Sequence, residues 1–257
     1  MLLVIDIGNT NIEAGLYDGD LLTKKFRISS DTSRTTDEYS MTFATIFDIN
    51  SIKKEDIDGV IISSVVPKLS HAVPKMCERF LHIDPIIVGA GTKTGLNIKY
   101  YNPKEVGADR IVSSVSCKEN YGYPAIIVDI GTAITFDYLD EEGSYHGGAI
   151  APGIQIAADA LFLRTSKLPR VELEESKTVI GKSTIEAMKS GLVNGYVGLI
   201  DGIIEKMLEE LAKEKSQVKI ISTGGFSSLL ASKSKYIELS DTDLILKGLK
   251  SIYEKNV

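Results

Sequence analysis

An α/β fold made of two similar halves, each with a mixed sheet, is what this sequence predicts. Two observations carry the prediction. The pentapeptide VIDIG at residues 4–8 returns as IVDIG at 127–131, and strand-like apolar runs alternate with helix-periodic segments on both sides of that repeat. The repeat period is close to half of the 257-residue chain, far too long for a solenoid array. Two related domains with a cleft between them are therefore expected, at residues 1–117 and 118–257.

Each copy begins with an apolar approach, Leu2 to Ile5 in one and Ala125 to Val128 in the other. Each then runs through a short alternating stretch into a turn-rich tail, Tyr17-Asp18-Gly19-Asp20 and Asp140-Glu141-Glu142-Gly143. The pattern reads as strand, tight turn, second strand and another turn. Between the copies, Tyr39, Phe43, Ile46 and Phe47 recur at helix spacing and predict a helix over Thr36 to Phe47. Gly59 to Val66 is a β-rich run that stops at Pro67. Residues 68–81 read as helix with a kink or restart at Pro74. A short strand at Ile86 to Val88, a glycine- and tyrosine-bearing loop from Gly89 to Pro103 and a helix from Gly107 to Asn120 follow.

In the second half the spacing predicts strands near 125–129, 133–138 and 145–151, a helix near 153–164 and a long helix over 184–213. Ser183 with Glu186 forms a capping box at the start of the long helix, worth about 1 kcal/mol. Val218 to Ser222 is a strand of the fully buried type. The last helix starts after Asp241 and carries Leu244, Leu246, Leu249 and Ile252. Gly191, Gly195, Gly198 and Gly202 fall on one face of the long helix. Glycine costs up to about 1 kcal/mol at such a position relative to alanine, so close approach of another backbone is expected there, from this chain or a second copy.

Composition narrows the function classes. A net charge of −6 disfavours a nucleic-acid surface, which needs a basic excess. The opening MLLVIDIGNT lacks a basic region and its apolar run is broken by Asp6, unlike a signal peptide. No uncharged apolar run reaches the roughly 18 residues of a membrane span. Cys77 and Cys117 form no CxxC pair, and His71, His82 and His146 are scattered, so reduced thiols and no histidine–cysteine metal cluster are expected. A cytoplasmic protein without nucleic-acid or membrane partners fits these features.

The repeated motif carries the chemistry. Asp6 at a strand end is suited to hold Mg²⁺ beside a phosphate chain, and Gly8 lets backbone N–H groups approach phosphate oxygens. Asn9, Thr10 and Asn11 add short donors. One copy alone reads equally well as a plain hairpin, because Asp, Gly and Asn are turn formers. Asp129-Ile130-Gly131-Thr132-Ala133 supplies a second carboxylate, glycine and hydroxyl, and Thr223-Gly224-Gly225 follows a buried strand. Two other glycine motifs lead nowhere. Gly181-Lys182-Ser183 lacks the earlier glycine of a Walker loop, where Ser176 stands, and Gly89-x-Gly91 has Thr94 in place of the third glycine of a dinucleotide fingerprint. For an acceptor hydroxyl, Asp109 in GADR at 107–110 is the best candidate base, the alternative being a plain helix-start carboxylate beside a salt-bridging arginine. It sits at a predicted helix start, where the dipole favours its ionised form, beside Arg110, which could bind a substrate carboxylate or brace Asp109.

Together the DIG hairpins and the TGG turn resemble the phosphate-1, phosphate-2 and adenosine motifs of the actin-like ATPase and sugar kinase superfamily, which implies two ribonuclease-H-like/actin-like ATPase halves. The resemblance sharpens to the type III pantothenate kinases. It covers nearly the whole chain: DIGNT at 6–10, SSVVP at 63–67, Tyr100 ahead of GADR, DIGTA with Thr135 and Asp137, GGAIAPG at 147–153, Ser183-Thr184 with Ala187-Met188 and Ser190-Gly191, and TGG at 223–225. It implies ATP-dependent phosphorylation of pantothenate to 4′-phosphopantothenate, the first committed step towards coenzyme A. By position, it implies that Asp6, Ile7, Gly8, Asn9, Thr10, Asn11, Ile12 and Glu13 hold the ATP phosphates with support from Thr132. It implies that Tyr100, Gly107, Ala108, Asp109, Arg110 and Thr184 contact pantothenate, with Asp109 as proton acceptor. Tyr101 stands next to Tyr100 as an alternative contact, and Thr184 is also a possible helix cap. The resemblance further implies a monovalent cation (K⁺ or NH₄⁺) at Asp129, Mg²⁺ with ATP, and a homodimer in which residues near 160–167 reach the neighbouring site. A kinase of another hydroxy-acid or sugar acceptor, or a non-catalytic regulatory accessory protein, are the alternative readings.

Overall fold

The structure, a computed structural model, describes residues 1–175 and 178–257; Ser176 therefore lies outside the described residues. The chain forms two compact units. The first comprises residues 1–96, 102–116 and 245–257, and the second comprises 97–101 and 117–244.

The first unit holds a five-stranded sheet of β1 (Leu2–Ile7), β2 (Asn11–Asp18), β3 (Leu21–Ser29), β4 (Gly59–Ser64) and β5 (Ile86–Ile87), in the order β3-β2-β1-β4-β5. β1 and β2 form an antiparallel hairpin, and β4 lies parallel on the other side of β1. The second unit repeats this plan with β6 (Ala125–Ile130), β7 (Ala133–Leu139), β8 (Tyr145–Pro152), β9 (Lys219–Thr223) and β10 (Leu239–Ser240). Its order, β8-β7-β6-β9-β10, is the same arrangement, with β6–β7 antiparallel and β6–β9 parallel. The sequence repeat is thus a repeat of whole sheets, and both are mixed. The third strand of the first sheet, β3, had no counterpart among the expected elements. Its sequence LLTKKFRIS is mostly exposed, so it lacks the apolar signal of a core strand.

Strand alternation sorts the residues of β1 onto two faces. Leu3, Ile5 and Ile7 enter a core with Tyr39, Phe43 and Phe47 of α1 (Thr36–Ile49) and Val73 and Met76 of α2 (Ala72–Met76). Val4 enters the opposite core, with Val112 and Val115 of α3 (Ala108–Asn120) and Leu246, Leu249 and Ile252 of α7 (Leu244–Glu254). That packing explains why residues 245–257 belong to the first unit, whereas the sequence division into 1–117 and 118–257 assigns them to the second half. A C-terminal amphipathic helix has no local signal for which sheet it covers.

In the second unit Ile126, Val128, Ile130, Ile134 and Phe136 pack on α4 (Ile154–Arg164), α5 (Thr184–Glu210) and the short α6 (Ser227–Leu230). Over residues 68–81 the helix restarts, the second of the two outcomes expected at Pro74. The stretch splits into a 3₁₀ turn at Pro67–Leu69, α2 and a π-helical turn at Cys77–Leu81. Pro74 lies in the first turn of α2, where a missing N–H is harmless. The Ser183 hydroxyl accepts the Glu186 N–H at 3.2 Å, but the Glu186 carboxylate accepts the Lys182 N–H at 2.8 Å rather than that of Ser183, so half of the expected capping box forms. A complete box closes α1, where Thr35 and Glu38 cap each other. Gly191, Gly195, Gly198 and Gly202 each face open space within 4 Å, so among the described residues no backbone from elsewhere in the chain approaches that stripe closely.

Cys77 and Cys117 are free and buried, and burial pushes each thiol up to about 12. Among the described residues no helix is long and apolar enough to cross a membrane.

Candidate active site

In the first unit the acidic residues gather at the C-terminal end of β1. Asp6 shares its face of the strand with Val4, not with Leu3, Ile5 and Ile7, and it pairs in register with Ser63 of β4 and Glu13 of β2. The Ser63 hydroxyl donates to Asp6 Oδ1 at 2.5 Å. Burial pushes the Asp6 carboxyl up to about 7; the Ser63 hydrogen bond opposes the shift, and repulsion from Asp109 and Glu13 adds to it. The Asp6 oxygens are of the hard type that Mg²⁺ takes.

Asp109 stands in the first turn of α3. Its Oδ1 accepts the Arg110 backbone N–H at 2.8 Å, folding the carboxylate back over the open helix end. Gly107 makes room for this: a Cβ there would stand 2.5 Å from Asp109 Oδ1. The expected preference for an ionised Asp109 is corrected by its burial. Desolvation raises its pKa, outweighing the backbone hydrogen bonds and the Arg110 charge. Asp109 is consequently a stronger base than an exposed aspartate. Arg110 is itself buried.

The hairpin between β1 and β2 is closed by Gly8 N–H donating to the Asn11 carbonyl at 3.0 Å, so the Gly8 N–H is engaged within the turn. Ser30 braces the turn, its hydroxyl donating to the Gly8 carbonyl at 2.5 Å and its N–H to the Thr10 carbonyl at 3.0 Å. Asn9 and Thr10 are exposed at the tip. Ile7 and Ile12 put their side chains into the core, leaving only backbone for a ligand. Glu13 pairs with Arg27 and, at 3.9 Å, with Lys25.

In the second unit Asp129 meets the TGG turn. Gly224 has φ +93°, and a Cβ there would lie 2.4 Å from Asp129 Oδ1 and 2.6 Å from the Ile130 carbonyl carbon. Phe226 N–H donates to the Ile130 carbonyl at 3.0 Å. Gly224 thus serves the approach of the turn to Asp129. Gly225 faces open space. Thr132 is exposed at the hairpin tip, and Gly153 N–H donates to its carbonyl at 3.0 Å. Tyr100 is half-buried with its ring against that of Tyr145, at 6.3 Å between centroids, while Tyr101 is fully exposed. Thr184 is exposed at the start of α5, and the cap is Ser183. Among the described residues no cluster of three or more His, Cys, Asp or Glu side chains forms a metal site.

Sequence reasoning missed Ser63 and Ser30. Ser63 lay inside the SSVVP segment, but only the parallel pairing of β1 with β4 shows that it faces Asp6.

Two mixed sheets of one topology, each opened by an acidic DIG hairpin, give an α/β fold of two similar halves. Solved structures agree on the fold: a Campylobacter jejuni protein assigned to the Baf family of transcriptional activators matches at 21% identity and a TM-score of 0.62, covering 99% of this chain and 98% of that one. A Sinorhizobium meliloti protein assigned as a 2-dehydro-3-deoxygalactonokinase matches at 11% and 0.59, covering 99% and 96%. The sequence profile of the type III pantothenate kinases matches residues 2–206. Type III pantothenate kinases of Halalkalibacterium halodurans (49% identical, 100% of both chains covered) and Finegoldia magna (52% identical, 100% of this chain and 98% of that one) are similar over their full length. The chain belongs to the type III pantothenate kinase family.

Proposed function

We propose that this protein transfers the γ-phosphoryl group of ATP to the primary hydroxyl of pantothenate, forming 4′-phosphopantothenate for coenzyme A synthesis. The observation that carries the reading is the pairing, within one unit, of a strand-end Asp6 held by Ser63 with a helix-start Asp109 whose pKa is raised. Family membership supplies the substrates.

Asp109 accepts the proton of the pantothenate hydroxyl as the oxygen attacks the γ-phosphorus. Arg110 pairs with the substrate carboxylate or braces Asp109, and the backbone of Gly107 and Ala108 lines the same helix end. Tyr100 and Thr184 complete the acceptor contacts. The half-burial of Tyr100 and the full exposure of Tyr101 favour Tyr100 as the contact. The hairpin from Asp6 to Glu13 holds the ATP phosphates, by backbone alone at Ile7 and Ile12, with Thr132 as the second support. Such positioning and charge neutralisation are the main demands of phosphoryl transfer. Asp6 would hold the Mg²⁺ that accompanies the nucleotide, directly or through water, and the ion would neutralise phosphate charge. A monovalent cation (K⁺ or NH₄⁺) is assigned to Asp129, whose Oδ1 lies against the Gly224 turn. The enzyme acts in the cytoplasm as a homodimer; the open glycine stripe of α5 is consistent with a second copy covering that face.

The test is product identification. Protein, MgATP and K⁺ incubated with pantothenate should give 4′-phosphopantothenate by mass spectrometry, with no phosphorylated product from hexoses or acetate. Phosphorylation of one of those acceptors instead would overturn the reading.

A further inference from the structure

Tyr100 sits in a five-residue stretch, Asn97–Tyr101, that belongs to the second unit although its flanking residues Leu96 and Asn102 belong to the first. Backbone ties hold this stretch to the start of β8. Lys99 N–H donates to the Tyr145 carbonyl at 2.8 Å, and Tyr145 N–H donates to the Asn97 carbonyl at 2.8 Å. Ile98 bridges Tyr145 in parallel register. Two side chains add to this: Asn97 Nδ2 donates to Ser144 Oγ at 3.2 Å, and Lys99 Nζ pairs with Asp140 at 2.9 Å.

The strand underneath is irregular at that place. Tyr138 pairs with Gly147 and Leu139 with Tyr145, so His146 is an extra residue in β8. Such bulges re-aim side chains. Here the bulge leaves the Tyr145 side chain fully buried, its hydroxyl donating to Asp137 Oδ1 at 2.7 Å. Asp137 is buried as well, and Thr135 Oγ1 donates to its Oδ2 at 3.2 Å. Tyr145 is thus fixed at its hydroxyl end, and its ring backs that of Tyr100, tilted by 50°. Gly147 follows with φ +107°, and a Cβ there would stand 2.8 Å from Tyr100 Cε2 and 3.0 Å from Cδ2. The Tyr100 ring therefore occupies the space that a side chain at residue 147 would fill.

We propose that Tyr145 and Gly147 are positioning residues for acceptor recognition: they fix the ring of Tyr100, and through it the affinity for pantothenate. Asp137 and the bulge at His146 hold Tyr145 in place for that task. The inference rests on the reading of Tyr100 as an acceptor contact.

The test is a double-mutant cycle on the full-length protein, reading the KM for pantothenate, the KM for ATP and kcat in Tyr100→Ala, Gly147→Ala and the double variant. Gly147→Ala should raise the pantothenate KM by about tenfold or more, as small misplacements of positioning groups do, and leave the ATP KM in place. In the Tyr100→Ala background the same substitution should have no further effect on the pantothenate KM, because no ring is left to displace. Independent, multiplying effects of the two substitutions would overturn the positioning role while leaving Tyr100 as a contact. An unchanged pantothenate KM in Tyr100→Ala alone would overturn both the contact and the inference. Should the strained backbone prevent Gly147→Ala from folding, Tyr145→Phe enters the same cycle and is judged by the same rule, since it keeps the ring and removes only the hydroxyl that anchors it.

Discussion

The decisive residues are two aspartates that burial makes reluctant to ionise. For Asp6 the folded chain holds the proton up to about pH 7, while the ordinary value is 3.8. The folded state therefore binds more protons than the unfolded chain between those values, and stability contributed by this group falls as pH rises through that window. Asp6→Asn should flatten that slope: urea midpoints of the ligand-free protein from pH 4 to 8 should decline less in the variant than in the parent, and parallel curves would contradict the assignment. Ser63 acts in the opposite sense by favouring the charged form. Ser63→Ala should move the acidic limb of the kcat/KM profile for ATP to higher pH, and an unmoved limb would show that the hydrogen bond is immaterial. At this scale the sequence singles out Asp6, Asp109 and Asp129 as candidates, since a carboxylate at a strand end or helix start is visible in the motif. Their environments were not legible. Ser63 reaches Asp6 only through a pairing between strands 57 residues apart, and the burial of Asp109 depends on packing that helix-dipole reasoning does not include.

At the scale of elements, glycines fix how the turns meet. Gly224 combines φ +93° with a carboxylate oxygen where its Cβ would be. Gly224→Ala should destabilise the second unit by about 1–3 kcal/mol from backbone strain alone. Thermal unfolding would show the loss, and an unchanged midpoint would mean that the turn relaxes freely. Helices and core strands were legible because their apolar periods are strong, as with Tyr39, Phe43 and Phe47 in α1. The exposed β3 and the π-helical turn after α2 were not. In β3 half-polar residues give no core signal, and in the second case Pro74 signals a restart but no residue type marks the switch from α to π geometry at Cys77.

At the scale of the whole molecule, the repeat of VIDIG as IVDIG announced two sheets, and both have the same strand order. What the repeat did not announce is that α7 closes the core of the first. Leu249→Ala, at a fully buried position beside Val4 and Val112, should cost about 2–5 kcal/mol by cavity formation, read as a lower urea midpoint. The chain belongs to the type III pantothenate kinases, and Asp109 is the base we propose for it. The most direct test is coupled ADP release with MgATP and K⁺, with and without pantothenate, in the parent and in Asp109→Asn. Pantothenate-dependent release should fall by about 10²–10⁴-fold in a variant with native circular dichroism. Release in the variant at the parental rate, or release in the parent that ignores pantothenate, would contradict the proposal.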